Sequence, residues 1–144
     1  MAKKPIDITS LPEGLSKKEF IMAPEMKSIK SWFIWAGWVQ ILTGIANFAT
    51  VGGLAELQAQ GYIVDEKYMM MLVAISLLFI ALGVALLVSK STTVAYIVGI
   101  TGIAFALYAI STGGSVGGGI VATVFAVISA VKADNAWKQY LSRN

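Results

Sequence analysis

The chain has 144 residues, of which 57% are hydrophobic and only 13% are charged, and its mean hydropathy is +0.75. Charged residues make up about a quarter of a typical soluble domain, so this composition excludes an ordinary soluble protein. Cysteine and histidine are both absent, which excludes disulfides, thiol catalysis and the commonest metal ligand. The net charge of +3 is not gathered into a basic face with interleaved aromatic residues, so we predict no nucleic-acid partner.

The first predicted element is a charged N-terminal tail over residues 1–30. Ser16 and Glu19 stand at the spacing of a helix capping box and precede an apolar run, Phe20-Ile21-Met22, which predicts a short amphipathic helix. We expect this helix to lie on the inner membrane surface, with its apolar side chains in the lipid boundary. A flexible tail is the alternative. Because the long apolar stretch begins only after this tail, we expect no secretory signal peptide.

Four membrane spans are predicted after the tail. Three uncharged stretches, of 25, 22 and 41 residues, follow Lys30, Lys67 and Lys90 respectively. One crossing needs about 20 residues, so the third stretch must contain two crossings, joined by the glycine-rich segment 112–119. We therefore predict an all-α integral membrane protein with spans near residues 31–53, 68–89, 92–112 and 116–134.

The distribution of basic residues predicts the orientation of these spans. The N-terminal tail holds six Lys or Arg residues, the turn at Lys90 one and the C-terminal tail three, whereas the loop with Lys67 holds one and the third loop none. The positive-inside rule then places both termini and the Lys90 turn in the cytoplasm. We expect a four-helix, up-down-up-down bundle over residues 31–134, a cytoplasmic tail over 135–144, and a location in the cytoplasmic (inner) membrane.

The first span carries a polar stripe of small and hydrogen-bonding residues. They recur at helical spacings of three and four along one face and comprise Gly37, Gln40, Thr43, Gly44, Asn47 and Thr50. An amide facing lipid would lack hydrogen-bond partners at a cost of several kcal/mol, so the stripe should face protein or water. Packing against another helix and lining of a pocket or wetted path are both consistent with this pattern.

Aromatic residues flank the predicted inner interface. Trp32, Trp35 and Trp38 open the first span, and Trp137 and Tyr140 follow the fourth. Amphipathic rings at this depth are typical of anchors at the interface between membrane and water. The three tryptophans of the first span also lie close to one helix face, so a patch that docks a partner is the alternative.

Small residues recur every four positions on two other spans and predict close helix packing, within the chain or between copies. These ridges comprise Ala81, Ala85 and Ser89 on the second span and Gly118, Ala122, Ala126 and Ala130 on the fourth. The sequence also contains a short repeat, in which Thr43-Gly44-Ile45-Ala46 recurs as Thr101-Gly102-Ile103-Ala104. Duplication of a helical hairpin would produce this pattern, and so would the narrow composition of helices in lipid.

No residue set in the sequence predicts catalysis or metal binding. Glu56, Asp65 and Glu66 could meet on one loop, but no histidine or second cluster joins them. Asp, Glu, Lys and Arg occur only at or beyond the boundaries of the predicted spans, which argues against ion-coupled transporters and proton pumps. We therefore expect no enzyme, no metal and no cofactor, while bound lipid is compatible with the bundle.

Together these observations favour a non-enzymatic membrane protein that serves as a structural or accessory subunit, either in a homo-oligomer or in a larger membrane complex. Its expected partners are membrane lipids and other membrane subunits. The first alternative is a small channel or carrier for a neutral or weakly polar solute, lined by the polar stripe of the first span. The second alternative is the binding of a lipid, quinone or pigment between helices.

Overall fold

The computed structural model describes residues 6–113 and 117–143, and all regular structure in these ranges is helical. In chain order the elements are α1 (Lys17–Met22), a 3-10 turn (Pro24–Met26), α2 (Lys27–Ala59), α3 (Glu66–Ser89), α4 (Thr92–Ser111) and α5 (Gly117–Leu141). Helices α2, α3, α4 and α5 are long and apolar enough to cross a membrane. The prediction of an all-helical chain is confirmed for the described residues, and so is the prediction of four helices that are long and apolar enough to span a membrane.

Two of the long helices extend beyond the predicted spans. Helix α2 covers residues 27–59 where the sequence predicts 31–53, and α5 continues to residue 141 where the sequence predicts an end at 134. Hydropathy identifies only the part of a helix that fits in lipid. The helix itself continues for as long as its backbone hydrogen bonds continue to form. Of the predicted glycine-rich turn, residues 114–116 lie outside the described residues.

A short connection at Lys90 joins α3 to α4. Lys90 adopts a left-handed backbone conformation (φ 46°) and donates its backbone N–H to the carbonyl oxygen of Leu86 at 3.0 Å, which ends α3. Its ammonium group donates to the carbonyl oxygen of Leu87 at 2.7 Å. Ser91 then stands in an extended conformation immediately before the first turn of α4. A connection this short makes α3 and α4 antiparallel neighbours.

Glycines bring the helices of each hairpin close together. A Cβ placed on Gly83 would lie 2.8 Å from the carbonyl oxygen of Gly37, and one placed on Gly44 would lie 2.8 Å from that of Ser76. These positions therefore exclude any side chain, and α2 and α3 form the most extensive contact in the bundle. Gly102 of α4 packs against α5 in the same way. Each copy of the repeated Thr-Gly-Ile-Ala segment thus contributes its glycine to the contact within its own hairpin.

The residues before α2 fold against one end of the bundle, which we call the terminal end. The helix that the capping box predicts is present as α1. The Ser16 hydroxyl accepts the N–H of Glu19 at 3.3 Å, while the Glu19 carboxylate accepts the N–H of Ser16 at 2.8 Å. The Ser16 hydroxyl also donates to this carboxylate at 2.6 Å, which holds the pKa of Glu19 below its usual value.

The apolar side chains of α1 are buried in protein. Phe20 is 0% exposed and Ile21 is 3% exposed, and the Phe20 ring lies 5.3 Å from the ring of Trp137 and 5.1 Å from that of Tyr140. The expectation that these two side chains enter the lipid boundary is wrong, because α5 extends past the predicted span and presents an aromatic surface to α1. Met22 remains exposed.

Polar contacts fix the N-terminal segment (residues 6–23) to the last turns of α5. The Tyr140 hydroxyl donates to the carbonyl oxygen of Pro12 at 2.6 Å and accepts the backbone N–H of Leu15 at 3.0 Å. The Lys17 ammonium forms an ion pair with the Asp134 carboxylate. Both terminal segments of the described chain therefore meet at the terminal end of the bundle.

Candidate functional site

A cavity of about 550 Å³ lies between the four long helices. Its walls come from the middle of α2, the first turns of α3 and α5 and the last turns of α4, so it lies opposite the terminal end. We call this the loop end. The volume is within the range of small-molecule sites, roughly 300–1,000 Å³. Most of the described lining residues are apolar, and those whose side chains can form hydrogen bonds are Thr43, Asn47, Thr50, Tyr68, Tyr108 and Thr112.

Asn47 is the residue that most clearly requires a partner in this cavity. Its Nδ2 atom is buried and makes no hydrogen bond in the described structure. Buried polar groups are almost always paired with protein or water, and an unpaired one costs about 1–3 kcal/mol. A ligand atom that accepts a hydrogen bond from Nδ2 would remove this cost, so the amide favours a ligand with an exposed oxygen acceptor.

The neighbouring threonines direct their hydroxyl hydrogens elsewhere. The Thr43 hydroxyl donates to the carbonyl oxygen of Val39 at 2.8 Å, and the Thr50 hydroxyl donates to that of Ala46 at 3.3 Å. Both bonds stay within α2, where a threonine commonly bonds the carbonyl four residues earlier. Asn47 is therefore the donor that this part of α2 offers to the cavity.

The six members of the predicted polar stripe occupy three different environments. Thr43, Asn47 and Thr50 line the cavity, whereas Gly37 and Gly44 lie in the close contact with α3. The sixth member, Gln40, is only 1% exposed, and its Nε2 atom also lacks a partner in the described structure. Gln40 does not line the cavity.

The half of the bundle next to the terminal end is filled by side chains. Phe33, Leu86 and Val98, from α2, α3 and α4 respectively, are all 0% exposed and belong to one core cluster. Near the middle of the bundle, Phe79 meets Phe105 edge to face with ring centroids 5.5 Å apart. Among the described residues, the cavity is therefore a pocket at the loop end and does not continue to the terminal end.

The predicted aromatic anchors occupy two different environments. Trp35 and Trp38 are 61% and 51% exposed. The Trp32 ring instead packs against Phe125 at 5.6 Å, and the Lys132 ammonium lies 5.4 Å from the centroid of the same ring. Trp137 and Tyr140, described above, hold the N-terminal segment of the chain itself.

The two small-residue ridges also differ in their surroundings. Ala122, Ala126 and Ala130 of α5 are buried inside the bundle. On α3, Ala81 is exposed, and Ala85 and Ser89 are half-buried. The surroundings of Gly118 lie outside the described residues. Assembly with other copies or other subunits through the α3 ridge stays a prediction.

Tyr68 and Tyr108 are lining residues that the sequence reasoning missed. Tyr68 lies in the first turn of α3 and Tyr108 in the last turn of α4. Tyrosines near span ends are usual at membrane interfaces, and no spacing rule relates residues on separate helices. The signal that could have found them is their shared depth, since both fall near the same predicted face of the membrane.

Comparison with protein-family models, with characterised proteins and with solved structures finds no match for this chain.

Proposed function

We propose that this chain is a non-enzymatic, multi-pass membrane protein that binds one small uncharged amphiphile in the cavity at the loop end. The ligand class is a lipid or quinone-like molecule that carries a carbonyl or ether oxygen and an apolar body. The observation that carries the proposal is the buried, unpaired Nδ2 atom of Asn47 in the cavity wall.

Physical chemistry supports this ligand class over a charged one. Among the described residues that line the cavity, none carries a carboxylate or ammonium group, so none of them would compensate the desolvation of an ion. Its apolar wall would take the hydrocarbon part of the ligand, and Asn47 would bond to the oxygen. With the orientation that the positive-inside rule predicts, the ligand enters from the outer leaflet or the outer solution.

The filled half of the bundle favours binding over conduction. A channel would need polar surface along its whole length, whereas Phe33, Leu86 and Val98 close the half next to the terminal end. The N-terminal segment covers that end further. The stripe of α2 therefore supports a ligand site better than a solute path.

The test uses the full chain in nanodiscs and a photoactivatable short-chain diacylglycerol as the probe. Asn47→Leu removes the donor while keeping the number and branching of the side-chain heavy atoms, and it should lower specific labelling of α2 about fivefold to tenfold, as expected for the loss of about 1 kcal/mol or slightly more. Asn135→Leu is the matched control, because Asn135 is exposed near the terminal end of α5. Its labelling should equal that of the unmodified chain.

Two further measurements complete the experiment. Without ligand, the Asn47→Leu protein should unfold at the same temperature as the unmodified chain or higher, because the substitution removes an unpaired donor. A short-chain quinone should displace the diacylglycerol if the ligand is quinone-like and should leave the labelling unchanged if it is a lipid. Equal labelling of the Asn47→Leu and unmodified chains would refute the proposed site.

A further inference from the structure

A second cavity, of about 330 Å³, lies at the terminal end, between α1 and the connection from α3 to α4. Lys17 and Lys18 of α1 and Lys90 of the connection line it, together with the hydroxyl residues Ser91 and Thr93. No acidic residue is among its described lining residues. We propose that this cavity binds a phosphate group, carried by an anionic lipid or free in solution.

The three lysines do not contribute equally to this site. Lys17 is held by the Asp134 carboxylate, whose other oxygen accepts a hydrogen bond from the Tyr96 hydroxyl at 2.9 Å. Lys18 is exposed and forms no ion pair with a described residue. The Lys90 ammonium donates one hydrogen bond to a backbone carbonyl and retains two further donors. Lys18 and Lys90 therefore supply positive charge that the surrounding residues do not neutralise.

The start of α4 adds a second attraction for an anion. Ser91 stands at the N-cap position but its side chain forms no capping hydrogen bond, and the first turn of α4 contains no acidic residue. The leading N–H groups of a helix point outward and carry the positive end of its dipole. Helix α4 is 20 residues long, so this end attracts phosphate oxygens. Ser91 and Thr93, whose hydroxyl groups can also donate hydrogen bonds, line the same cavity.

The position of the site in the chain gives the anion a structural role. Lys18 belongs to the N-terminal segment and Lys90 to the bundle, so a phosphate between them would join the two. The predicted orientation places this end at the cytoplasmic face, where anionic lipid head groups are concentrated. Phosphate binding should therefore stabilise the docked N-terminal segment.

The test compares two double variants of the full chain in nanodiscs. Lys18→Gln with Lys90→Asn removes both unpaired charges, and asparagine tolerates the left-handed backbone at position 90. Lys27→Gln with Lys138→Gln removes the same charge from exposed positions outside the cavity. Native mass spectrometry counts the phosphatidylglycerol retained from a mixture with phosphatidylcholine. The first pair should lower retention about 30-fold, because both lysine bonds to the phosphate are lost, and the second pair, which lies outside the cavity, should change it little.

A second arm separates a lipid head group from free phosphate. Inorganic phosphate is titrated against the chain in nanodiscs of phosphatidylcholine alone, and the exchange protection of α1 is measured. Protection that rises with phosphate in the unmodified chain, but not in the Lys18/Lys90 variant, assigns the site to soluble phosphate. Retention of phosphatidylglycerol without that response assigns it to a lipid. The proposal is overturned if the two double variants show the same phosphatidylglycerol retention and the same phosphate response. It is also overturned if Lys18→Gln alone changes neither of these two measurements.

Discussion

Tyr140→Phe should release the N-terminal segment while leaving the four-helix bundle intact. The substitution removes one oxygen atom and keeps the ring, so the contacts of the ring with Phe20 and Trp137 are preserved. It deletes the hydrogen bond to the Pro12 carbonyl oxygen at 2.6 Å and the one from the Leu15 N–H at 3.0 Å. Both lost bonds join the N-terminal segment to α5.

The magnitude follows from these two bonds. A typical hydrogen bond contributes about 0.5–1.5 kcal/mol net, and Tyr140 is only 3% exposed, so water replaces its bonds poorly. We expect the loss of both bonds to weaken docking of the N-terminal segment by about 2 kcal/mol. The equilibrium between the docked and undocked segment should therefore shift about 30-fold towards the undocked form.

Hydrogen exchange measured by mass spectrometry on the full chain in nanodiscs reads this equilibrium directly. Amides of α1 should lose protection about 30-fold in the Tyr140→Phe variant, while those in the middle of α3 should keep theirs. Tyr62→Phe is the matched control, because Tyr62 is 63% exposed and lies in the connection between α2 and α3. Unchanged protection of α1 in the Tyr140→Phe variant would refute the claim that this hydroxyl holds the segment.

Three further predictions concern other parts of the chain. Gly83→Ala should lower the stability of the bundle by about 1–3 kcal/mol in a thermal or denaturant titration, because the new Cβ would lie 2.6 Å from Cγ1 of Ile41. Gln40→Leu should leave the unfolding temperature unchanged or raise it, because it removes a buried donor that lacks a partner. Acidification should loosen α1, because the hydrogen bond from Ser16 lowers the pKa of Glu19 in the folded chain. The Glu19 carboxylate therefore stabilises α1 fully above its usual pKa of 4.5. This stabilisation is lost as the pH falls through the lower pKa of the folded chain.

Each of these predictions has a matched control. Gly52→Ala changes the same residue type on α2 where nothing lies within 4 Å of the new Cβ, so it should cost no stability. Gln58→Leu, at an exposed position of α2, removes no buried donor and should not raise the unfolding temperature. Glu19→Gln keeps a side-chain acceptor for the Ser16 N–H but cannot titrate, so exchange protection of α1, corrected for intrinsic rates, should become independent of pH. The same acid response in the Glu19→Gln variant would contradict the role given to this carboxylate.

The sequence predicts the four long helices well because membrane insertion depends on uninterrupted apolar length. The limit appears at helix ends, where residues such as Glu56 and Lys132 stop an apolar run without stopping a helix. The capping box of Ser16 and Glu19 is a local pattern, and a local pattern can be recognised in the sequence. The surface that α1 packs against cannot be recognised in that way, because its partner Tyr140 lies at the other end of the chain.

The candidate site is predictable in part for the same physical reason. Residues on α2 share a face through helical spacing, so Thr43, Asn47 and Thr50 can be grouped from the sequence alone. The contributions of Tyr68 and Tyr108 depend on how separate helices approach each other, which no periodicity encodes. Periodicity also cannot separate Asn47, which lines the cavity, from Gln40, which is enclosed by side chains.

The docking of the N-terminal segment onto Tyr140 has a consequence for the order of biosynthesis. Leu15 leaves the ribosome early, whereas Tyr140, whose hydroxyl accepts the Leu15 N–H, follows 125 positions later. At about 5–20 residues per second, translation of the intervening chain takes about 6 to 25 s. During that time Phe20 and Ile21 have no aromatic surface on which to pack, and the nearest apolar phase is the lipid boundary. Packing of the N-terminal segment onto Tyr140 can therefore begin only after α5 has been made.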